Sequence, residues 1–209
     1  MSQKIVVFGA NGKVGRAFIP LALEAGYQVR AFVRNAEKFV LRDDTRIDIV
    51  EGDATNAEDV HRALAEMDAV VSCLGNPNRK TLIMAKATEK IMGAAAEQPH
   101  PPRCLMISSI GVGGSSWLIK ALLTMIIGRK AFGDYEAAEA RVRSEEKAPW
   151  LVVRPYALND QDSRGGAALL QSRHPHIAKA IPRSDVARFF LECVQDPELQ
   201  GKCLNIGGR

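Results

Sequence analysis

The chain opens on Lys4-Ile5-Val6-Val7-Phe8, a short apolar run that leads straight into Gly9-Ala10-Asn11-Gly12-Lys13-Val14-Gly15. Glycines spaced by three, between a strand and the helix predicted over Lys13 to Glu24, constrain the fold more than any other feature. Gly9 permits a sharp turn, Gly12 lets a pyrophosphate approach the backbone, and Gly15 lets the helix pack closely on the strand. The helix ends at Ala25-Gly26 and a second strand follows over Gln28 to Val33, at the distance a βαβ unit requires. Unpaired N–H groups and the positive end of the helix dipole then converge on one spot, an anion site. Gly9, Asn11, Gly12, Lys13, Val14 and Gly15 are the expected cofactor contacts there.

The end of the second strand selects between dinucleotides. An NAD site places Asp or Glu about 20 residues past the glycines, on the ribose 2′-OH. This chain has Phe32-Val33-Arg34-Asn35, with Lys38 one helical turn later and no carboxylate before Glu37. A guanidinium binds a 2′-phosphate bidentately and stacks beside adenine, whereas a carboxylate repels it. Arg34 and Lys38 therefore favour NADP over NAD. The alternative is that Arg34 is a solvated residue at a strand end.

Apolar runs and helical segments alternate along the rest of the chain. The pattern predicts strands over Ile47 to Val50, Ala69 to Leu74, Arg103 to Ile107, Trp150 to Arg154 and Cys203 to Ile206. Helices are expected over about Ala57 to Ala65, Lys80 to Glu97, Asp134 to Glu146, and from a cap at Ser184 or Asp185 to Gln195. Continuous Val/Ile/Leu runs mark strands buried on both faces, and their alternation with helices implies an α/β fold. The expectation is a single Rossmann-type doubly wound parallel sheet flanked by helices, forming one domain over residues 1–209. Ligands of such sheets bind outside the carboxyl ends of the strands. Asp53 would accept from the adenine amino group, or cap the next helix, and Ala54 would donate from its backbone. Leu74-Gly75 offers small, backbone-rich surface where a ribose passes, and Ser108 and Ser109 lie nearest the nicotinamide end.

Composition excludes other classes. At 209 residues, 46% hydrophobic and 25% charged, the chain is an ordinary globular one. Its net charge of +4 is mild and forms no basic stripe with interleaved aromatics, so no nucleic-acid partner is expected. Cys73, Cys104, Cys193 and Cys203 lack CxxC spacing and read as reduced thiols. Arg173-His174-Pro175-His176 lacks a third ligand, so no metal is expected. The first strand begins by residue 4, so no leader peptide is expected. The apolar run Trp117 to Ile127 is far short of the ~20 residues of a membrane helix. A cytoplasmic protein with no membrane partner is expected. That run lies in a segment, about 112–133, that follows the fifth strand. It reads as a lid over an apolar substrate, a homodimer surface or both, or else as a plain core helix.

Gly9-x-x-Gly12-x-x-Gly15, Gly52-Asp53-Ala54, Leu74-Gly75, Ile107-Ser108-Ser109, Val153-Arg154-Pro155 and Ile181-Pro182-Arg183-Ser184-Asp185-Val186-Ala187 together resemble the atypical short-chain dehydrogenase/reductases. Within them, the chain is similar to NAD(P)H-binding proteins of the biliverdin-IXβ/flavin reductase and NmrA-like groups. The wider superfamily carries Tyr-x-x-x-Lys, whose lysine lowers the tyrosine pKa for acid/base work. Here Glu139 stands four residues after Tyr135, and a carboxylate raises a phenol pKa. Asp134, Glu139 and Arg154-Pro155 look like the Asp…Glu…Arg-Pro arrangement of the reductase-like group, which does not use that dyad. The resemblance implies hydride transfer from NADPH to a small hydrophobic or conjugated acceptor of the flavin, tetrapyrrole or quinone type. It implies Ser109 as the orienting serine, with Ser108, Arg154 and Pro155 on the cofactor, and Tyr135 as catalytic partner or simple packing. The NmrA-like alternative is a non-catalytic NADP-binding redox sensor.

Overall fold

The structure, a computed structural model, describes residues 3–75, 82–113, 121, 124–125, 128–163, 165–170 and 179–209. In chain order the elements are β1 (Lys4–Phe8), α1 (Lys13–Glu24), β2 (Gln28–Val33), β3 (Ile47–Glu51), α2 (Ala57–Leu64), β4 (Ala69–Ser72), α3 (Ile83–Ala96) and β5 (Arg103–Ile107). They continue with α4 (Arg129–Arg143), β6 (Trp150–Pro155), β7 (Leu158–Asn159), β8 (Ala167–Leu169), β9 (Ile181–Pro182), α5 (Arg183–Gln195) and β10 (Lys202–Gly208). Eight strands form one sheet in the order β3-β2-β1-β4-β5-β6-β10-β8, parallel throughout except for the edge strand β8. The order reverses between β1 and β4, so the crevice of this doubly wound sheet opens there.

Alternation along the strands fills two cores. Ile5 and Val7 point to one face of the sheet, where α1 contributes Phe18 and Ile19 and α5 contributes Phe190 and Cys193. Val6 and Phe8 point to the other, against Leu64 of α2, Ile91 of α3 and Val142 of α4. Because β1 is covered on both faces, its residues from Ile5 to Phe8 are all fully buried. Two strand arginines finish helix ends. Arg30 on β2 donates to carbonyls at the C-terminus of α2, and Arg103 on β5 donates to Val194 O and Asp196 O at that of α5.

Some boundaries differ from the sequence reading. The fourth helix begins at Arg129 rather than Asp134, because Ala131 and Phe132 are buried against the core and carry the helix through Gly133. Residues 129–133 of the lid-like segment are thus the first turn of α4. Most of Trp117 to Ile127 lies outside the described residues, as do His174 and His176. The cap of the last helix is Pro182, not Ser184 or Asp185; Asp185 is buried in its first turn and accepts from Ser163 Oγ. The strand pair β7/β9 and the antiparallel β8 carry too few residues for a periodic signal. All four cysteines are free thiols, and burial pushes Cys73 and Cys104 up to about 12.

The glycines differ in what surrounds them. A Cβ on Gly15 would collide with the carbonyl oxygen of Gly9, whereas one on Gly93, inside α3, would meet nothing within 4 Å. The same substitution should therefore have opposite effects at the two sites. Gly93→Ala should raise stability by about 0.5–1 kcal/mol through helix propensity. Gly15→Ala should lower it by about 1–3 kcal/mol through overpacking. Urea unfolding of both variants checks the pair; equal effects would show that the α1–turn contact relaxes freely.

Candidate cofactor site

The glycine turn sits where β1 and β4 end. Cys73 N donates to Phe8 O at 2.9 Å, holding the two strand ends together. Gly9 has φ of 73°, and a Cβ there would stand 2.7 Å from Cys73 O, so no side chain fits. Gly12 N donates back to Gly9 O at 2.9 Å and closes the turn, and Gly12 is the N-cap of α1. No side chain caps that helix and no acid lies in its first turn. Two other helix starts are covered, while that of α4, at Gly128, likewise has no side-chain cap and no acid in its first turn. Asn56 caps α2 by accepting from Asp59 N, and Asp134 of α4 accepts from Met84 N and Ala85 N of α3 at 3.0 and 2.8 Å. An N-terminus left without an anion of the protein's own is one suited to an anion from outside.

The remaining expected residues divide by what their polar atoms do. Arg34 and Lys38 are exposed at the end of β2 and form no ion pair among the described residues. Lys13 pairs with Asp160 at 2.5 Å, and Asp160 also holds Arg183 at 2.6 Å. The Lys13 hydrogen bond, with both cations nearby, holds the Asp160 carboxyl below the usual range. Asp53 takes Thr55 N and Thr55 Oγ1 on one carboxylate oxygen, an Asx turn, and its backbone N–H donates to Asp59. The cap of the helix after it is Asn56, which leaves the second Asp53 oxygen without a protein donor among the described residues. Ala54 and Val14 are buried, Leu74 is half-buried and Gly75 is exposed. Tyr135, on α4, brings its hydroxyl 3.9 Å from where a Cβ on Gly75 would stand, so it reaches the mouth of the crevice.

Ser108 and Arg154 look elsewhere. Ser108 Oγ donates to Glu139 Oε2 at 3.1 Å, and Arg154 Nε donates to the same oxygen at 3.0 Å while its Nη2 engages Oε1. The Glu139 side chain is 1% exposed and that of Arg154 9%. Burial alone would lower the Arg154 pKa, but the hydrogen bond and charge of Glu139 outweigh it and hold the guanidinium above its ordinary value. Gly113, with φ of 73°, lies against this pair where any Cβ would strike it. Pro155 is buried and its carbonyl accepts from Ile110 N. Ser108, Arg154 and Pro155 thus brace the segment after β5, and Ser109, half-buried, stands on that brace; among the described residues its hydroxyl makes only a local contact, to Ile110 O.

Spacing along the chain could not show Glu51, whose Oε2 accepts from Ala36 N at 2.8 Å and so places a carboxylate on the loop after Arg34. Register explains it: Glu51 lies opposite Val33 across β2 and β3. The roles of Asp134 and Glu139 had a legible signal, since both fall on the stripe of α4 marked by Ala131, Ala138 and Val142.

A family model for NAD(P)H-binding domains matches residues 9–197. The chain belongs to that NAD(P)H-binding family. A curated relative is the uncharacterized protein YwnB of Bacillus subtilis, 25% identical over 211 residues that span 94% of each chain. Among solved structures, the anaerobillin reductase ChuY of Escherichia coli O157:H7 superposes with a TM-score of 0.78 at 24% identity, over 98% of this chain and 96% of that one. A short-chain dehydrogenase/reductase of Veillonella parvula, in complex with NADP, superposes with a TM-score of 0.82 at 14% identity, over 99% and 95%. These likenesses establish the Rossmann-type fold. Among the described residues no helix is long and apolar enough to cross a membrane, and no group of three or more metal-ligating side chains occurs.

The buried pair yields a stability prediction. Glu139→Ala leaves the Arg154 charge uncompensated and should cost about 3–5 kcal/mol in urea unfolding. Replacing both partners, as Glu139→Leu with Arg154→Met, should recover most of that loss. A single variant no less stable than the double would show the guanidinium reaches water.

Proposed function

We propose that the protein is an NADPH-dependent oxidoreductase that passes hydride to a small hydrophobic or conjugated acceptor of the flavin, tetrapyrrole or quinone type. The observation that carries this reading is the uncapped start of α1, set in a turn where neither Gly9 nor Gly15 has space for a Cβ, beside the exposed Arg34 and Lys38. The turn from Gly9 to Gly15 would hold the pyrophosphate, Arg34 and Lys38 the 2′-phosphate, and Asp53 and Ala54 the adenine. Leu74 and Gly75 would line the ribose path. Bound NADPH supplies the hydride, and the protein supplies orientation and exclusion of water. Ser109 would donate a hydrogen bond that orients the reactants, on a segment held rigid by Ser108, Glu139 and Arg154. Tyr135 would border the same space from α4, without the lysine that tunes a tyrosine for proton transfer. The likeness to ChuY, an anaerobillin reductase, supports the choice of acceptor class by analogy of fold.

The test follows oxidation of NADPH by absorbance against a panel of flavins, biliverdins and quinones. Turnover is expected with at least one. Ser109→Ala should then lower kcat by about tenfold, the value of one hydrogen bond, while Tyr135→Phe leaves it within about threefold. A collapse on Tyr135→Phe alone would overturn the Ser109 assignment. Tight NADPH binding with no turnover anywhere would favour the sensor of NmrA type.

A further inference from the structure

Asn11 lies in the glycine turn, where a contact with the dinucleotide is its expected role, yet its side chain is turned to another part of the protein. Its Nδ2 donates to Lys38 O at 2.9 Å and its Oδ1 accepts from Val40 N at 3.3 Å. Both bonds reach across nearly thirty residues of chain to the loop that leaves β2. That loop carries Arg34 and Lys38, and it is fastened at several points. Asn35 Oδ1 accepts from Lys38 N at 2.9 Å, Glu51 accepts from Ala36 N, and Phe39 is 1% exposed in the core beside α1. Glu51 and Phe39 hold the loop to the sheet; Asn11 alone among the described residues ties it by side-chain hydrogen bonds to the glycine turn.

We infer that Asn11 is a specificity-positioning residue, acting through the backbone of Lys38 and Val40 to set the distance between the pyrophosphate turn and the cations that read a 2′-phosphate. This rests on the assignment of Arg34 and Lys38 above and deepens it. A primary amide suits this geometry because its donor and its acceptor are separate atoms at the end of one short side chain, set against a carbonyl and an N–H two residues apart. A serine hydroxyl can donate and accept, but from a single oxygen one atom nearer the backbone, and so replaces the amide only in part; alanine replaces neither bond. A cofactor that bridges two anion sites gains most when their separation is set before binding, since the loop ordering is then not charged against affinity. An adenosine ligand lacking the 2′-phosphate makes no use of the clamped loop and is insensitive to it.

The experiment measures calorimetric affinities of the protein for two fragments that differ only by the 2′-phosphate, 2′,5′-ADP and 5′-AMP, and reads their ratio. The wild type should prefer 2′,5′-ADP. Asn11→Ala should reduce that preference by about five- to thirtyfold, as expected for loss of one to two hydrogen bonds, with Asn11→Ser intermediate. In the background of Arg34→Ala with Lys38→Ala the further effect of Asn11→Ala on the ratio should vanish, because Asn11 acts through the loop that carries both cations. Equal weakening of both fragments by Asn11→Ala would overturn the inference and make Asn11 a shaping residue of the turn. Persistence of its effect on the ratio without both cations would overturn it as well. A wild type that does not discriminate between the fragments would instead overturn the NADP assignment, and the inference with it. Should Asn11→Ala fold poorly, amide exchange at Val40 in Asn11→Ser gives a second reading; exchange no faster than wild type would refute the clamp.

Discussion

The fold and the site both depend on how closely the glycine turn is pressed against the strand ends. Gly9 has no space for a Cβ because Cys73 O lies in the way, and Gly15 has none because of Gly9 O. These contacts seat α1 directly on β1 and β4, where Phe18 and Ile19 complete one of the two cores. They also leave the first turn of α1 pointing its N–H groups into the crevice between β1 and β4. A larger residue at either position would push the helix outward, loosening the core and filling the space at the start of α1 together. Stability and the binding proposed here therefore rest on the same van der Waals contacts at this point.

A second set of constraints comes from α4, whose buried face is unusually polar. Asp134 neutralises the start of α3, and Glu139 binds Arg154 and Ser108, so one helix fixes α3, β5 and β6 relative to each other. Hydrophobic residues of similar volume would hold these elements at least as firmly, since a buried pair recovers little beyond its desolvation cost. What the polar network adds is direction: each bond is satisfied in a single arrangement of the segment after β5, where Ser109 stands. Gly113 and its approach to the ion pair belong to the same design.

Much of the fold was legible along the chain because its strongest signals are local. The residues from Lys4 to Val33 carry a strand, a turn and a helix whose limits follow from glycine spacing and apolar period alone, and α1 and β2 occupy the spans expected of them. The candidate site was legible as a set of strand ends, and topology brings the glycine turn, Gly52 to Ala54, Leu74-Gly75 and Ser108-Ser109 to the carboxyl end of the sheet. What pattern could not reveal were side-chain partners. Ser108 and Arg154 looked like donors for a ligand, yet their polar atoms go to a carboxylate 31 and 15 residues away. Asn11 and Glu51 act across neighbouring strands, and register rather than spacing sets those encounters. The early start of α4 was hidden for a similar reason, since burial of Ala131 and Phe132 overrides the helix-weakening Gly133.

The central claim is that the start of α1 is kept free for the phosphates of a dinucleotide. Gly12→Asp tests it most directly, because the substitution separates folding from binding. Gly12 is the helix N-cap with φ of −73°, an ordinary conformation for any residue. A Cβ there would meet Gly9 O at 3.0 Å, so that carbonyl must yield by a few tenths of an ångström. Aspartate is among the best N-caps, and the bonds of its carboxylate to the N–H groups of the first turn offset this crowding, so the unfolding midpoint should stay near that of the wild type. That same carboxylate occupies and repels the pyrophosphate, and calorimetry should show NADPH affinity falling by about a hundredfold or more, the loss of charge-assisted bonds to the turn. A well-folded Gly12→Asp protein that binds NADPH as the wild type does would place the phosphates elsewhere and contradict the account.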